Sequence, residues 1–322
     1  MKQPKVSVCV PVYNGEPYIE KCVRSLFSQT LDSIEYIFVN DNTPDKSMEI
    51  ISKVLDEYPH RKPFVKIINH EKNQGIAISN KDGLLATSGE YVITCDNDDW
   101  INEDMYERLY ERAKKTDADV VCCDYYKERK NKTISAISHF EGTKDARIRA
   151  WIRREYAAYS WATMVRGDIY RYKVHYITEG YAEDCVRACQ VQFFADRYEY
   201  INSPMYHYRY GGLSSSNMRL RINADIIAYR WIFDFLRNND AVRFEKDINV
   251  TKLRLKLDWC SMELLPEFYT IWPEVNKLSL LWKTNLSLKK QIVLSLAICK
   301  MGILYNAIVN LYQCLRKYKV KR

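Results

Sequence analysis

The sequence is poor in the residues that build flexible linkers and glycine-rich cofactor loops. Its 322 residues include only 10 Gly and 9 Pro, so long disordered linkers are not expected. No Gly-x-Gly-x-x-Gly follows a strand and no Gly-x-x-x-x-Gly-Lys-Ser/Thr occurs, which argues against a Rossmann dinucleotide site and a P-loop. Gly-x-Ser-x-Gly and His-Glu-x-x-His are also absent, so neither a hydrolase elbow nor a zinc-protease helix is indicated.

Cysteine is present, but it lacks the spacing of a metal site. None of the ten Cys residues forms a Cys-x-x-Cys pair or a cluster with His at zinc spacing. Cys9 and Cys95 lie within apolar runs, where a free thiol behaves as a small hydrophobic group. The first five residues carry no apolar stretch of the kind found in signal peptides. These features predict reduced thiols and a cytoplasmic protein.

The charge balance is only mildly basic. The net charge is +8, and no long basic stretch interleaved with aromatic residues appears in the first two thirds, so nucleic acid is not an expected partner. The excess fits an anionic small ligand, such as a nucleotide diphosphate, or an anionic membrane surface. With 47% hydrophobic and 28% charged residues, the composition is that of a globular protein with a sizeable core.

Apolar runs and amphipathic segments alternate over the first 125 residues. They predict strands at 6–10, 34–39, 65–68, 91–95 and 120–123, and helices at 18–28, 47–58, 75–86 and 103–115. This pattern indicates an α/β fold with a mostly parallel central sheet and helices on both faces. Because right-handed crossovers bring the carboxyl ends of such strands to one edge, the polar clusters at 11–14, 40–45 and 96–99 should converge there.

The rest of the chain divides into a mixed, Tyr-rich part and a helical part. We predict one domain over residues 1–210, with halves at 1–125 and 126–210, and a helical C-terminal region over 211–322. The apolar stretch 291–315 is interrupted by polar residues and is a poor membrane-spanning helix. With the basic tail at 316–322 it suits a membrane interface. The alternative is a buried C-terminal helix followed by a solvated tail.

The strongest candidate for chemistry is an acidic cluster directly after the fourth predicted strand. Asp96, Asp98 and Asp99 are three carboxylates within four residues, and they repel one another unless a cation or hydrogen bonds compensate. Oxygen ligands at a strand end suit Mg²⁺ or Mn²⁺, which takes its other ligands from water and substrate phosphates. The alternative is an acidic loop that caps the next helix.

Three further segments carry candidate binding or catalytic groups. Asp41 at a strand end could accept hydrogen bonds from a nucleobase or ribose, and Tyr13 beside Pro11 could flank a base. Glu183 and Asp184 start a predicted helical run at 185–194, and one of them could be the general base for a hydroxyl. The alternatives are plain turn chemistry at 42–45 and acids favoured by a helix N-terminus at 183–184.

Taken together and in order, these segments resemble the family-2 glycosyltransferases of the GT-A fold over roughly residues 5–210. The resemblance implies that Asp41 contacts uracil, that Asp184 is the catalytic base beside Glu183, and that residues 73–83 flank the donor site. It implies an Asp-x-Asp element at Asp96 and Asp98, with Asp98 binding the metal and Asp99 as a competing candidate. The donor-binding positions it implies are Pro11, Val12, Tyr13, Asn14, Glu16, Asp41, Asn80, Lys81, Asp96 and Asn97.

The sequence departs from the family pattern at two places. Asn40 and Asn42 stand where many members have Asp and Gly. Asn80 and Lys81 stand where many members have Arg-Asn, so that Lys81 would supply a point charge rather than a guanidinium fork. These departures leave the nature of the donor open.

The resemblance implies an inverting hexosyl- or N-acetylhexosaminyltransferase that uses a UDP-sugar with Mg²⁺ or Mn²⁺. The acceptor would be a hydroxyl of a glycan or lipid-linked molecule in surface polysaccharide synthesis. Residues 1–125 would bind the nucleotide sugar and 126–210 the acceptor. The enzyme would be cytoplasmic and peripheral on the inner face of the membrane. No oligomeric state is indicated.

Aromatic residues offer one more expectation about the acceptor half. Trp151, Trp161 and the Tyr-rich stretch 156–172 would either line an acceptor cleft, since sugars stack on aromatic faces, or form an aromatic core. Two rival functions stay open for the chain as a whole. One is a nucleotidyltransferase that makes nucleotide sugars, and the other is a non-catalytic nucleotide- or glycan-binding module.

Overall fold

The structure is a computed structural model that describes residues 3–129, 132–137, 139–178, 182–210, 218–260 and 265–301. Within these ranges the chain forms one nine-stranded sheet and ten α-helices. It divides into two compact units, residues 1–148 with 156–232, and residues 149–155 with 233–322. The boundary predicted at residue 210 therefore falls inside the first unit, and a short piece of the middle section belongs to the second.

The sheet is mostly parallel. Its strands are β1 (Val6–Val12), β2 (Ile34–Asn40), β3 (Val65–Asn69), β4 (Tyr91–Thr94), β5 (Trp100–Ile101), β6 (Val120–Arg129), β7 (Lys132–Ala136), β8 (Thr163–Arg166) and β9 (Tyr198–Arg209). The order is β3-β2-β1-β4-β8-β6-β9-β5, and β7 pairs with β6. Strands β1 to β4, β6 and β9 share one direction, whereas β5, β7 and β8 run against it. The predicted fold class is confirmed.

The helices of the first 125 residues lie within two residues of their predicted bounds. The ten helices are α1 (Ile19–Phe27), α2 (Ser47–Glu57), α3 (Ile76–Leu85), α4 (Met105–Thr116), α5 (Lys144–Ile152), α6 (Glu183–Phe194), α7 (Met218–Cys260), α8 (Leu265–Thr270), α9 (Leu278–Leu281) and α10 (Leu288–Ile298). In α1 the predicted inward face is buried through Ile19, Cys22, Val23 and Leu26. The spacing of these apolar residues, three and four apart, is what sets that face.

The fifth predicted strand differs from its prediction in length and in neighbours. It continues to Arg129 as β6 rather than ending at residue 123, and β8 lies between it and β4. Val165 of β8 is in register with Val92 on one side and with Val120 on the other. The sequence pattern could not foresee this insertion, because it joins residues that lie more than forty positions apart in the chain.

Opposite faces of the sheet are buried by different helices. On β1, Val8 and Val10 belong to a core cluster that includes residues of α1, α2 and α4, whereas Cys9 packs with Leu84 of α3. A Cβ atom at Gly83 of α3 would lie 2.3 Å from the sulfur of Cys9. The glycine therefore permits α3 to pack closely against β1, and any larger residue there would force the two apart.

The second unit is helical. Its core includes Leu253 of α7, Phe268 of α8 and Leu294 of α10. The helix α7 breaks at Asp240, where φ is −162° and ψ is 86°, and the side chain of Asp240 accepts a hydrogen bond from the backbone N–H of Arg243, as an N-cap does. None of the described helices is both long and apolar enough to span a bilayer.

A buried carboxylate joins three strands at the sheet edge where β1, β2 and β4 begin. The Oε1 atom of Glu35 lies 2.5 Å from the ammonium of Lys66 and accepts from the Ser88 hydroxyl, while Oε2 accepts from the Ser7 hydroxyl and the Ser88 N–H. Burial alone would raise the pKa of Glu35, but the bonds from Lys66, Ser7 and Ser88 together lower it. The charged form is therefore the one that stabilises the fold.

Glu35→Gln should lower the free energy of unfolding by about 1–3 kcal/mol at pH 7, since a charged acceptor in a buried network is lost. Because the folded-state pKa lies below the ordinary 4.5, the contribution of the carboxylate is fully present above that value and is lost as pH falls through the folded-state pKa. Urea unfolding at a series of pH values should show the difference between wild type and variant shrinking in acid.

The matched control is Glu57→Gln, which alters an exposed carboxylate paired with Arg24 and should change stability little. A Glu35→Gln penalty that stays constant as pH falls below the range of carboxylate titration would contradict the role given to the charge.

Candidate functional site

The first two loops at the carboxyl edge of the sheet are joined through Asp45. Its Oδ2 accepts from the backbone N–H of Glu16 at 2.8 Å, and its Oδ1 accepts from the hydroxyls of Thr43 and Ser47 at 2.7 and 2.6 Å. The Thr43 oxygen in turn accepts from the N–H of Asn14 at 2.9 Å. Burial would raise the pKa of Asp45, but these bonds together lower it. A charged Asp45 thus fixes the loop after β1 against the loop after β2.

The predicted nucleotide-binding turn lies at this edge and exposes an aromatic ring. Pro11 and Val12 are buried in β1, whereas the Tyr13 side chain is 38% exposed. Asn14, also exposed, has a φ of 51°, the left-handed conformation that Asn tolerates. The side-chain amide of Asn97 donates to the Tyr13 carbonyl at 3.2 Å. The loop after β1 and the acidic loop after β4 are therefore in contact.

Asp41, at the end of β2, orders the loop before α3. Its Oδ1 bonds the Nδ1 of His70 and accepts from the N–H of Gln74, both at 2.8 Å, and its Oδ2 accepts from the N–H of Gly75 at 2.8 Å. Gly75 has a φ of +87°, a conformation in which a side chain is strained. Asp41 is only 3% exposed, and the described bonds use three of the acceptor positions of its carboxylate.

The acidic loop holds three carboxylates in unequal surroundings. Asp96 and Asp98 are partly exposed, whereas Asp99 is 1% exposed. Burial, followed by the charges of Asp98, Asp184 and Glu183, raises the pKa of Asp96 to about 7. Burial and then the charges of Asp96 and Asp98 raise the pKa of Asp99 to about 9. The raised pKa values of Asp96 and Asp99 mean that ionising all three carboxylates together costs free energy that the described side chains do not fully offset.

Two residues of β9 support the acidic loop. The Tyr206 hydroxyl donates to Asp99 Oδ2 at 2.7 Å and accepts from the N–H of Asp96 at 3.2 Å. The N–H of Arg209 donates to Asp99 Oδ1 at 2.7 Å. The Arg209 guanidinium forms an ion pair with Asp98 and lies 3.8 Å above the centre of the Tyr18 ring. Both oxygens of Asp99 are thus hydrogen-bonded, while the described ion pair of Asp98 is with the Arg209 guanidinium alone.

The start of α6 brings the predicted acid pair to the same edge. Glu183 is buried, and its Oε1 accepts from the Asn80 amide at 3.0 Å and lies 3.6 Å from the Arg187 guanidinium. Burial raises the pKa of Glu183 although Arg187 opposes the shift. Asp184 is exposed and bonds only the N–H of Cys185 at 2.8 Å among the described contacts. Its charge acts on Asp96, which locates the two carboxylates near each other.

Lys81 and the two tryptophans occupy different surroundings. Lys81 is half-buried in α3 and makes no hydrogen bond or ion pair with the described residues. Trp161 is 7% exposed and stacks on the rings of Tyr159 and Tyr206 at 4.6 and 4.4 Å. Trp151 is 6% exposed. Both tryptophans are buried, so of the two alternatives for them the structure supports the aromatic core rather than the lining of an acceptor cleft.

The residues present fit a divalent cation that makes few bonds to protein. Within the ranges that the structure describes, no three His, Cys, Asp or Glu side chains form a metal cluster. Asp96 and Asp98 can together offer oxygen ligands in a field of excess negative charge, as Mg²⁺ or Mn²⁺ requires when phosphates supply the rest. Asp99 fits this role less well, since it is 1% exposed and each of its oxygens already accepts a bond from β9.

Most of the predicted residues lie at the carboxyl edge of the sheet, and four further residues that support them were not predicted from the sequence. Tyr206, Arg209, Arg187 and His70 were not identified. His70 directly follows β3, so the strand-end rule that selected Asp41 would have selected it too. The sequence alone could not identify the other three. They lie on β9 and α6, and these elements come close to the acidic loop because of the order of the strands in the sheet.

Comparison with known proteins identifies the family of the chain. Residues 7–171 match the family model described as Glycosyl transferase family 2. Over 262 residues the chain is 32% identical to the glycosyltransferase EpsH of Bacillus subtilis (strain 168), which covers 77% of this chain and 74% of that protein.

Two solved structures share the fold. The S. aureus TarS 1–349 complex with UDP-GlcNAc has a TM-score of 0.62 at 20% identity and covers 96% of this chain and 91% of its own. Mannosyltransferase PcManGT from Pyrobaculum calidifontis, in complex with GDP-Man and Mn²⁺, has a TM-score of 0.56 at 13% identity, with 96% and 86% covered. The family match extends over half of the chain, and the relative over three quarters of it. The chain therefore belongs to glycosyl transferase family 2 and is a glycosyltransferase of the GT-A fold.

Proposed function

We propose that the protein transfers a hexosyl or N-acetylhexosaminyl group from a UDP-sugar to a hydroxyl of a glycan or lipid-linked acceptor, with inversion at the anomeric carbon. One observation carries the proposal. The partly exposed acids Asp96 and Asp98 lie at the same sheet edge as the exposed Asp184, close enough for Asp184 to raise the pKa of Asp96. Carboxylates that can hold the cation a diphosphate needs thus lie beside a carboxylate that is open to an acceptor.

The donor would lie across the loops that follow β1, β2 and β4. The exposed ring of Tyr13 can stack on the base, and Asp41 keeps one acceptor position for it. Asp96 and Asn97 would orient the ribose. Lys81 would face the phosphates as a point charge. Asn80 acts differently, because its amide binds Glu183 and so positions the acid pair rather than the donor.

The chemical step needs one base and one leaving group. The Asp184 carboxylate would take the proton of the acceptor hydroxyl while that oxygen bonds to the anomeric carbon from the face opposite UDP. The bond from the anomeric carbon to the diphosphate oxygen breaks in the same displacement, and UDP leaves with the electron pair. Bound at Asp98 and Asp96, Mg²⁺ or Mn²⁺ would supply charge neutralisation for the diphosphate.

The acceptor assignment is part of the proposal. An acceptor used in surface polysaccharide synthesis, whether glycan or lipid-linked, fits an enzyme on the cytoplasmic side that attaches peripherally to the membrane through the basic tail at 316–322. The eight cysteines whose side chains the structure describes are all free thiols, as a reducing compartment favours. The tail itself lies outside the described residues.

A screen of nucleotide sugars with and without Mn²⁺ tests the whole proposal. Sugar transfer or slow hydrolysis from one UDP-sugar, dependent on the metal, is the expected result. Release of pyrophosphate from UTP would instead favour a nucleotidyltransferase. Binding of UDP with no turnover on any donor and acceptor would favour a non-catalytic binding module.

Asp184→Asn should reduce transfer by about 10²–10⁴-fold, because the amide cannot accept the hydroxyl proton. Binding of UDP, measured by calorimetry, should stay near that of the wild type, since the residue makes no bond in the donor loops. Asp168→Asn removes another exposed acid of the same unit and should leave the rate unchanged. Near-normal turnover in Asp184→Asn would remove this residue from the role of base.

Asp98→Asn should weaken Mn²⁺ binding, as followed by electron paramagnetic resonance of the free ion, and should abolish metal-dependent transfer. Asp99→Asn is the matched variant. It should disturb the bonds to Tyr206 and Arg209, and hence stability, more than it disturbs Mn²⁺ affinity. The reverse ranking of the two variants in the resonance experiment would assign the metal to Asp99.

Arg209→Met should strengthen Mn²⁺ binding severalfold, because it removes the cation that is paired with Asp98. Arg209→Lys keeps the charge and should stay closer to the wild type. The same resonance titration gives the affinities without any turnover. Equal or weaker Mn²⁺ binding by Arg209→Met would show that the ion pair and the metal do not compete for Asp98.

A further inference from the structure

The net positive charge of the chain comes from its last 48 residues. Residues 275–322 hold ten of the 49 Lys and Arg residues and none of the 41 Asp and Glu residues. The first 274 residues therefore carry 39 basic groups against 41 acidic groups, a slightly negative balance. A protein whose charge merely kept it soluble would have no reason to separate it in this way.

Five of these ten basic residues lie in the described part of the chain, and all five are exposed to solvent. They are Lys277, Lys283, Lys289, Lys290 and Lys300. None of the five makes an ion pair with any carboxylate in the ranges that the structure describes. The acid just before this segment, Glu274, is bonded to Lys252 at 2.7 Å. Lys300 lies 5.8 Å from the centre of the Tyr269 ring, and no carboxylate of the described residues neutralises any of the five ammonium groups, so an external anion can pair with them.

The same segment exposes large apolar side chains. Trp282, between α9 and α10, is 79% exposed, and Leu288 and Ile292 of α10 are 69% and 43% exposed. Leu288 and Ile292 are four residues apart and lie on one face of the helix. On another face, Leu294 and Ala297 are buried in the helical core. The helix α10 therefore has apolar side chains on its buried face and also on its exposed face.

We propose that the exposed side chains of residues 277–301, here termed the lysine–tryptophan surface, dock on an anionic lipid bilayer. Lysines beside an indole and aliphatic side chains match the boundary between lipid headgroups and acyl chains, where charge attracts and Trp inserts. An acidic protein would satisfy the lysines but gives no particular reason for so exposed a Trp. The inference rests on the proposed function, since it would hold the enzyme on the membrane that carries a lipid-linked acceptor.

Vesicle binding of the full chain tests the surface. The probes are vesicles of phosphatidylcholine alone and vesicles of phosphatidylcholine mixed with phosphatidylglycerol. The wild type should sediment with the mixed vesicles and not with the neutral ones, and high salt should release it. The triple variant Lys283→Gln, Lys289→Gln and Lys290→Gln should lose on the order of 100-fold in partition constant, because each lysine near the surface contributes about fivefold.

A matched triple variant controls for net charge. Lys53→Gln, Lys72→Gln and Lys115→Gln remove the same charge from exposed positions of the first unit and should keep nearly the wild-type partition constant. Lipids with brominated acyl chains should quench part of the Trp fluorescence of the wild type. Trp282→Phe should remove that quenching. Circular dichroism of each variant checks that the helices are intact.

Four results would overturn the proposal. The first is equal binding to neutral and anionic vesicles, the second is equal losses in the two triple variants, and the third is no binding to anionic vesicles. The fourth involves one more variant, with Lys317→Gln, Lys319→Gln and Lys321→Gln: it is full vesicle binding by the first triple variant together with loss of vesicle binding in this tail variant. The third would favour an acidic macromolecule, and the last would leave docking to the tail at 316–322 alone. Turnover of UDP-sugar without vesicles is measured on the same variants and should not change. Its absence in every form would count against the proposed function, independently of docking.

Discussion

The structure depends on holding like charges together at one edge of the sheet. Asp96, Asp98 and Asp99 follow β4, and the acids that begin α6 face them. The strand β5 starts directly after Asp99 and pairs antiparallel with β9, with Ile101 in register with Tyr206. This pairing delivers the Tyr206 hydroxyl and the Arg209 guanidinium to the acids. The sheet therefore supplies the donors that the acidic loop lacks in its own sequence.

The two edges of the sheet treat buried acids in opposite ways. At the edge where the strands begin, Glu35 receives hydrogen bonds from Lys66, Ser7 and Ser88, and its pKa is lowered. At the edge where they end, burial and then the neighbouring carboxylates raise the pKa of Asp96. One edge is arranged for stability. The other holds repulsion that a divalent cation would relieve, and such a cation in turn attracts a diphosphate, which is the electrostatic condition for binding rather than for folding.

Local sequence patterns predicted the strands and helices whose formation depends on neighbouring residues in the chain. The runs at 6–10 and 34–39 are apolar on both faces and form the buried centre of the sheet, and helix periodicity located α1 to α4. The position of β8 between β4 and β6 could not be read, because antiparallel pairing at long range leaves no periodic trace. For the same reason Arg209 was missed, although it contacts Asp98. Strand ends located the loops, but only the structure distinguished Asp99, which is buried and hydrogen-bonded through both oxygens, from the partly exposed Asp98.

The bonds of Asp45 have a consequence for how such an enzyme can diversify. The first two loops are shaped by a carboxylate that binds the backbone N–H of Glu16 and the hydroxyls of Thr43 and Ser47. A backbone N–H is the same whatever side chain its residue carries. A neighbouring side chain that makes no such bond, such as that of the exposed Lys46, can therefore be exchanged during evolution without redrawing the path of the loops. Asn42 is more constrained, because its φ of 52° is a conformation that few residues other than Asn and Gly tolerate. The side chains that contact the donor can therefore change during evolution while the backbone path of the two loops stays the same.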